Sequence, residues 1–198
     1  MKIIDLNAYI TERFSGQREA LMKCVCSGPR RFVLQKYVDR NYRMLRYDLR
    51  LEFEGTFKSW TIPQGPSMQP QEPRTAFRIA DAPHACLDFE GMVPLDEFGG
   101  GTVLVWDLGE WISQSDPRSA FKAGTLHFKL KGCKLQGDWS LASLKEEPCA
   151  TAHAWRLTKL WDRAAAANIG DILTRRPESV LSGRLIEHII AQSDALPV

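Results

Sequence analysis

The chain has 198 residues, 44% hydrophobic, 25% charged and 10% aromatic, with a formal net charge of +2. That is the composition of a folded globular protein, one domain with extensions or two small ones, and it excludes a disordered or fibrous chain. So small a net charge means that a nucleic-acid role needs a local basic patch, and no apolar run approaches the ~18 residues of a membrane span.

The N-terminus, MKIIDLNAYITERF, carries Asp5, Glu12 and Arg13, which breaks any secretory apolar region and makes the cytoplasm the expected location. Residues 4–24 space their apolar side chains as a helix does, and Gly28-Pro29 ends it, so residues 1–30 read as a helical extension. From Arg31 the pattern changes to short strands. RFVLQK (31–36) is the first and residues 46–54 the second, where Tyr47, Leu49, Leu51 and Phe53 alternate with Arg46, Asp48, Arg50 and Glu52. Period-two alternation is the mark of a strand with one buried and one polar face. A third strand spans 58–62, before a Pro/Gly/Gln-rich loop from Pro63 to Pro73.

Gly99-Gly100-Gly101 reads as a turn permitting positive φ and fits no P-loop or dinucleotide-binding glycine pattern. TVLVWD (102–107) comes next as a strand, with loop signals from Ser113 to Arg118. Residues 124–144 alternate again, Leu126, Phe128 and Leu130 on one face and His127, Lys129 and Lys131 on the other; WRLTKL (155–160) ends the series. Many short strands with regular glycine punctuation suggest a β-sandwich or barrel, with the six tryptophans in its core. After Asp162 the character turns helical, at 164–167, at 169–173 and in GRLIEHIIAQ, so residues 163–198 read as a helical tail. Leu185, Ile186, Ile189 and Ile190 form an apolar stripe there, suited either to the barrel or to a partner protein. The five cysteines lack paired CxxC spacing and read as unpaired, mostly buried thiols.

The order of RFVLQK (31–36), YDLRLEFEG (47–55), KSW (58–60), PQGPS (63–67), DFEGMVP (88–94), EFGGGTVLVWDLGEW (97–111), KAGTLHFKLKGCKLQGDWSL (122–141) and WRLTK (155–159) resembles the 3′-phosphoesterase domain of bacterial DNA ligase D. The resemblance covers about residues 31–162 and implies a mainly β fold: a small barrel of mostly antiparallel strands with flanking helices. It also implies removal of 3′-terminal ribonucleotides and 3′-phosphates from DNA ends, with manganese. The implied site is a QKH strand motif, five residues, HYD-x-R, a downstream Arg, and the His and Tyr of DHPxxY.

The carry-over is partial. Tyr37 stands at the first metal-binding His, and eight residues, VDRNYRML, separate it from Arg46 at the second. Asp48 and Arg50 match, as does Arg74 in PRTAFR, but DHPxxY reads DAPHAC, with Ala82 for the His and Cys86 for the Tyr. Of the implied metal set only Asp48 survives. A guanidinium has no lone pair to give a metal. Set about 4 Å from a divalent ion, it costs about 8 kcal/mol at an effective dielectric of about 20.

Three readings stay open. In the first, the site is a degenerate, metal-free face that binds DNA ends or phosphate through Arg46, Arg50, Arg74, Arg43, Lys36 and Tyr37; as a plain surface, the same row merely pairs Arg46 with Asp48 or Glu52. The second is an active manganese phosphoesterase rearranged around Asp48, Arg50, Arg74 and His84. The third is an interaction module whose C-terminal helix docks a DNA ligase, a polymerase or a second copy.

Overall fold

The computed structural model describes residues 30–39, 44–53, 55–82, 87–93, 100–145, 153–166 and 170–194. The expected N-terminal helix, Arg43, His84 and Cys86 lie outside the described residues.

The strands are β1 (Arg31–Asp39), β2 (Leu45–Phe53), β3 (Thr56–Ile62), β4 (Arg74–Ala82), β5 (Gly91–Val93), β6 (Gly101–Ser113), β7 (Thr125–Gly132), β8 (Gln136–Ser143) and β9 (Ala154–Lys159). Their order is β1-β2-β3-β4-β9-β8-β7-β6, and β6 returns to β1 to close an antiparallel barrel of eight strands. β5 adds to the N-terminal half of β6, outside the ring. Closure removes the exposed edges that an open sheet would leave. One face of each strand supplies the core: Phe32 and Leu34 of β1, Tyr47, Leu49, Leu51 and Phe53 of β2, Trp60 and Ile62 of β3, Leu126, Phe128 and Leu130 of β7.

Several segments depart from the local sequence pattern. β6 does not stop at Asp107 but runs through Gly109, because one strand must pair first with β5 and later with β7 while staying on β1. Gly109 is there for close approach: a Cβ would lie 2.2 Å from the Lys131 carbonyl oxygen. Gly101 likewise opens β6 without a positive φ; its missing side chain leaves room for the Val38 carbonyl and the Tyr37 ring. Of the loop expected at 113–118, residues 114–116 are irregular, and from Pro117 the chain is helix α1 (Pro117–Ala123), capped by Asp116, whose carboxylate accepts from the Ser119 N–H, and closed by left-handed Gly124. Its Phe121 stacks on Trp155 and meets Phe53 and Trp60 edge-on. Alternation did not reveal β4, because the β3–β4 register shifts between Phe57 and Ser59, which flips the facing of the strand beyond the shift.

Five tryptophans are in the core as expected, but Trp161 is 70% exposed, just past the end of β9. Cys133, at the β7–β8 turn, is free and exposed rather than buried.

Helices α2 (Arg163–Ala166), α3 (Ile172–Arg175) and α4 (Ile186–Asp194) complete the described chain. They pack against the barrel. Ile186, Ile189 and Ile190 are buried in the main core, so the apolar stripe of α4 is used within the chain. Trp106 Nε1 donates to the Arg176 carbonyl at 2.7 Å, and the buried Lys134 ammonium donates to the same oxygen at 2.9 Å while lying 4.4 Å from the Trp106 ring centre. Among the described residues no helix is long and apolar enough to cross a membrane.

Candidate functional site

The polar face of β2 points away from the core. Antiparallel register places Gln35 opposite Asp48 and Tyr37 opposite Arg46 on β1, and Thr61 opposite Asp48 and Ser59 opposite Arg50 on β3. All seven residues share one sheet face, because directly paired residues in a ladder point the same way.

Asp48 is 5% exposed. Its Oδ1 accepts from the Thr61 hydroxyl at 2.6 Å and faces Arg46 Nε at 3.5 Å, while Arg50 Nη2 lies 3.5 Å from Oδ2. Arg50 is further fixed by donating from Nε to Gln35 Oε1 at 2.8 Å and from Nη1 to Ser59 Oγ at 3.0 Å. Arg46 lies over Tyr37, its guanidinium carbon 3.6 Å from the ring centre. Burial holds the Tyr37 hydroxyl above its ordinary pKa, so the ring stays a neutral platform under the cation. Two guanidiniums flank the Asp48 carboxylate, the Asp39 carboxylate also acts on Tyr37, and the Arg46 side chain is 26% exposed.

Other candidates lie elsewhere. Lys36 alternates with Gln35 and Tyr37 and therefore occupies the opposite face of β1, between Tyr47 and Leu104 in register. Arg74 shares the parity of Ala76 on β4, a core residue; its Nη2 bonds Glu72 at 3.0 Å, and its Nε is buried without a partner. Glu52, last of the charged row, accepts from Arg31 instead. Glu90 is tied to structure, accepting from the Val105 N–H at 2.9 Å and from the Ser179 hydroxyl.

Beside the charged group, the same face becomes apolar. Val33, Phe57, Ala82, Leu87 and Val105 form a second cluster, with Val180 of the C-terminal tail packed against it. The shift in β4 register brings Ala82 opposite Phe57 and so onto this face.

Residues 39–143 match the family of the DNA ligase D 3′-phosphoesterase domain. The chain belongs to that family. It is 39% identical over 161 residues to the Multifunctional non-homologous end joining protein LigD of Pseudomonas aeruginosa, covering 81% of this chain and 19% of the relative. It is 30% identical over 113 residues to the Multifunctional non-homologous end joining DNA repair protein LigD of Mycobacterium tuberculosis H37Rv, and 30% over 123 residues to that of Mycolicibacterium smegmatis. These matches cover 56% and 58% of this chain but 14% and 16% of those relatives, so the chain spans less than a fifth of the length of the curated relatives it matches.

The family resemblance implies manganese, and the described residues do not fit it. The two positions expected to carry imidazoles, 37 and 46, are direct cross-strand partners occupied by the stacked tyrosine and guanidinium. The position of the third, Ala82, belongs to an apolar cluster. Asp48, the one retained carboxylate, already faces two guanidiniums and a hydroxyl. Neither arginine can lend a lone pair, and both oppose a cation.

Sequence reading missed Gln35, Ser59 and Thr61, which orient the charged pair. Each sits at an outward position of a strand, so the alternation in QKY and KSWTI carried the signal, but only the register names their partners.

Proposed function

We propose that this chain is a degenerate member of the DNA ligase D 3′-phosphoesterase family that binds DNA ends through their phosphates without metal catalysis. The observation that carries it is Arg46, held between the Tyr37 ring at 3.6 Å and the Asp48 carboxylate at 3.5 Å. A fixed positive charge thus stands where the resemblance puts a metal-binding imidazole. Arg46 turns its Nε to Asp48 and its side chain is partly exposed, and a guanidinium edge matches two phosphate oxygens at once. Arg50 plays a different part, because Gln35, Ser59 and Asp48 fix it; it adds charge and holds Asp48 in place. The biological setting is end-joining DNA repair, by analogy with the names of the relatives, and the partner proposed there is a DNA ligase or polymerase.

The test is incubation with a 3′-ribonucleotide-tipped primer-template, with manganese or with a chelator. The expected result is no turnover in either, with salt-sensitive binding that persists in chelator and weakens on Arg46→Ala. Manganese-dependent turnover abolished by Asp48→Ala would mean an active enzyme with a rearranged site. Binding unchanged by Arg46→Ala combined with Arg50→Ala would remove the phosphate face altogether.

A further inference from the structure

Beside Arg46 sits an apolar side chain that belongs to neither core cluster of the described residues. Met44 immediately precedes β2 and is 56% exposed. Its backbone is nevertheless held on both sides: its N–H donates to Asp39 Oδ1 at 2.7 Å, and its carbonyl accepts from the Asp39 N–H at 3.0 Å. Its sulfur lies 4.0 Å from Arg46 Nη1, so the thioether borders the edge of the cation on the same side of the sheet. Leu45, the next residue, is 46% exposed but falls on the alternate face, with Tyr47 and Leu49.

We infer that Met44 is a base-contacting residue, packing its thioether on the nucleobase next to the phosphate that Arg46 holds. This rests on the phosphate-binding reading of Arg46 and adds a second contact to the same DNA end: the base beside the bound phosphate. A solvent-facing apolar group with a pinned backbone, bordering the guanidinium of Arg46, complements a ligand that joins an anion to a flat, weakly polar ring. A nucleotide is such a ligand. Sulfur packs favourably on aromatic rings, and the unbranched side chain adapts to rings of different size. With no hydrogen-bonding group of its own suited to read a base edge, Met44 adds affinity without choosing between bases.

The experiment measures binding of the full chain, by fluorescence anisotropy, to two labelled single strands that both end in a 3′-phosphate. One carries an ordinary terminal nucleotide and the other an abasic one. The wild type is expected to favour the base-containing end by about two- to twelvefold, the range that sulfur–ring packing supplies. Met44→Ala should erase that preference and leave abasic-end affinity unchanged, whereas Leu45→Ala should alter neither. Arg46→Ala should weaken both ends alike. The inference is overturned if Met44→Ala keeps the preference, if it weakens both ends equally, or if Leu45→Ala has the same effect. Self-association of the wild type that Met44→Ala abolishes would overturn it too, assigning the side chain to a second copy. Should Arg46→Ala change nothing, the phosphate reading fails by itself, a result distinct from any outcome at Met44. Wild type that binds neither end sinks both.

Discussion

Asp48 and Asp107 are both buried carboxylates, and they are satisfied in opposite ways. Asp107 is 0% exposed and accepts from two backbone N–H groups of the β7–β8 turn, Lys134 at 3.0 Å and Leu135 at 2.7 Å. Burial nonetheless pushes its carboxyl up to about 6, outweighing those bonds. Asp48 is held by side chains from its own and the neighbouring strand: Thr61, Arg46 and Arg50. Backbone donors are indifferent to residue type, so Asp107 belongs to the fold whatever the protein does. Side-chain donors can be exchanged by substitution, so the surroundings of Asp48 can change while the barrel persists.

That contrast can be broken most forcefully at Asp107. Asp107→Ala leaves two buried N–H groups without acceptors and should cost about 2–5 kcal/mol in urea unfolding. The loss should depend on pH. The folded-state value near 6 lies above the ordinary 3.8, so the folded protein holds this proton more tightly. The resulting stability, roughly 3 kcal/mol, is full below about pH 4 and lost as pH rises through about 6. The gap between wild type and Asp107→Ala should therefore shrink from pH 4 to pH 7; a gap that widens contradicts the assignment.

On the Asp48 side, the two arginines should separate stability from binding. Arg50→Ala strips Gln35 and Ser59 of a donor and should lower stability by about 1–3 kcal/mol. Arg46→Ala should cost under about 1 kcal/mol, since its head group is partly in solvent. Yet it should reduce DNA affinity about tenfold or more and flatten the salt dependence by about one unit of slope. Equal effects from both on both measurements would erase the division of labour. The smallest effect should come from Trp161→Ala, within about 0.5 kcal/mol, because that ring is outside the core.

Much of this was legible beforehand. The alternation of residues 46–53 announced β2 and its two faces, and eight ordered segments carried the family resemblance. The losses at positions 37, 46 and 82 were visible as residue types. What stayed hidden were consequences of pairing. Lys36 looked like part of the basic set, yet it occupies the other face of β1, and Arg74 has Glu72 as its partner. Helix α1 was obscured because its start, Asp116-Pro117, reads equally as a turn. Trp161 shows the same limit: a tryptophan two residues past a strand end loses the alternation that would bury it.

The sequence by itself determined the strand periodicity, the family and the absence of imidazoles at the expected metal positions, because these depend on residue type and local order alone. The tertiary structure decided that Tyr37 and Arg46 lie across from each other and stack, that Thr61, Gln35 and Ser59 complete the group around Asp48, and that the C-terminal helix is spent on the barrel. Those are long-range facts set by the register and closure of the barrel, which local order along the chain does not encode.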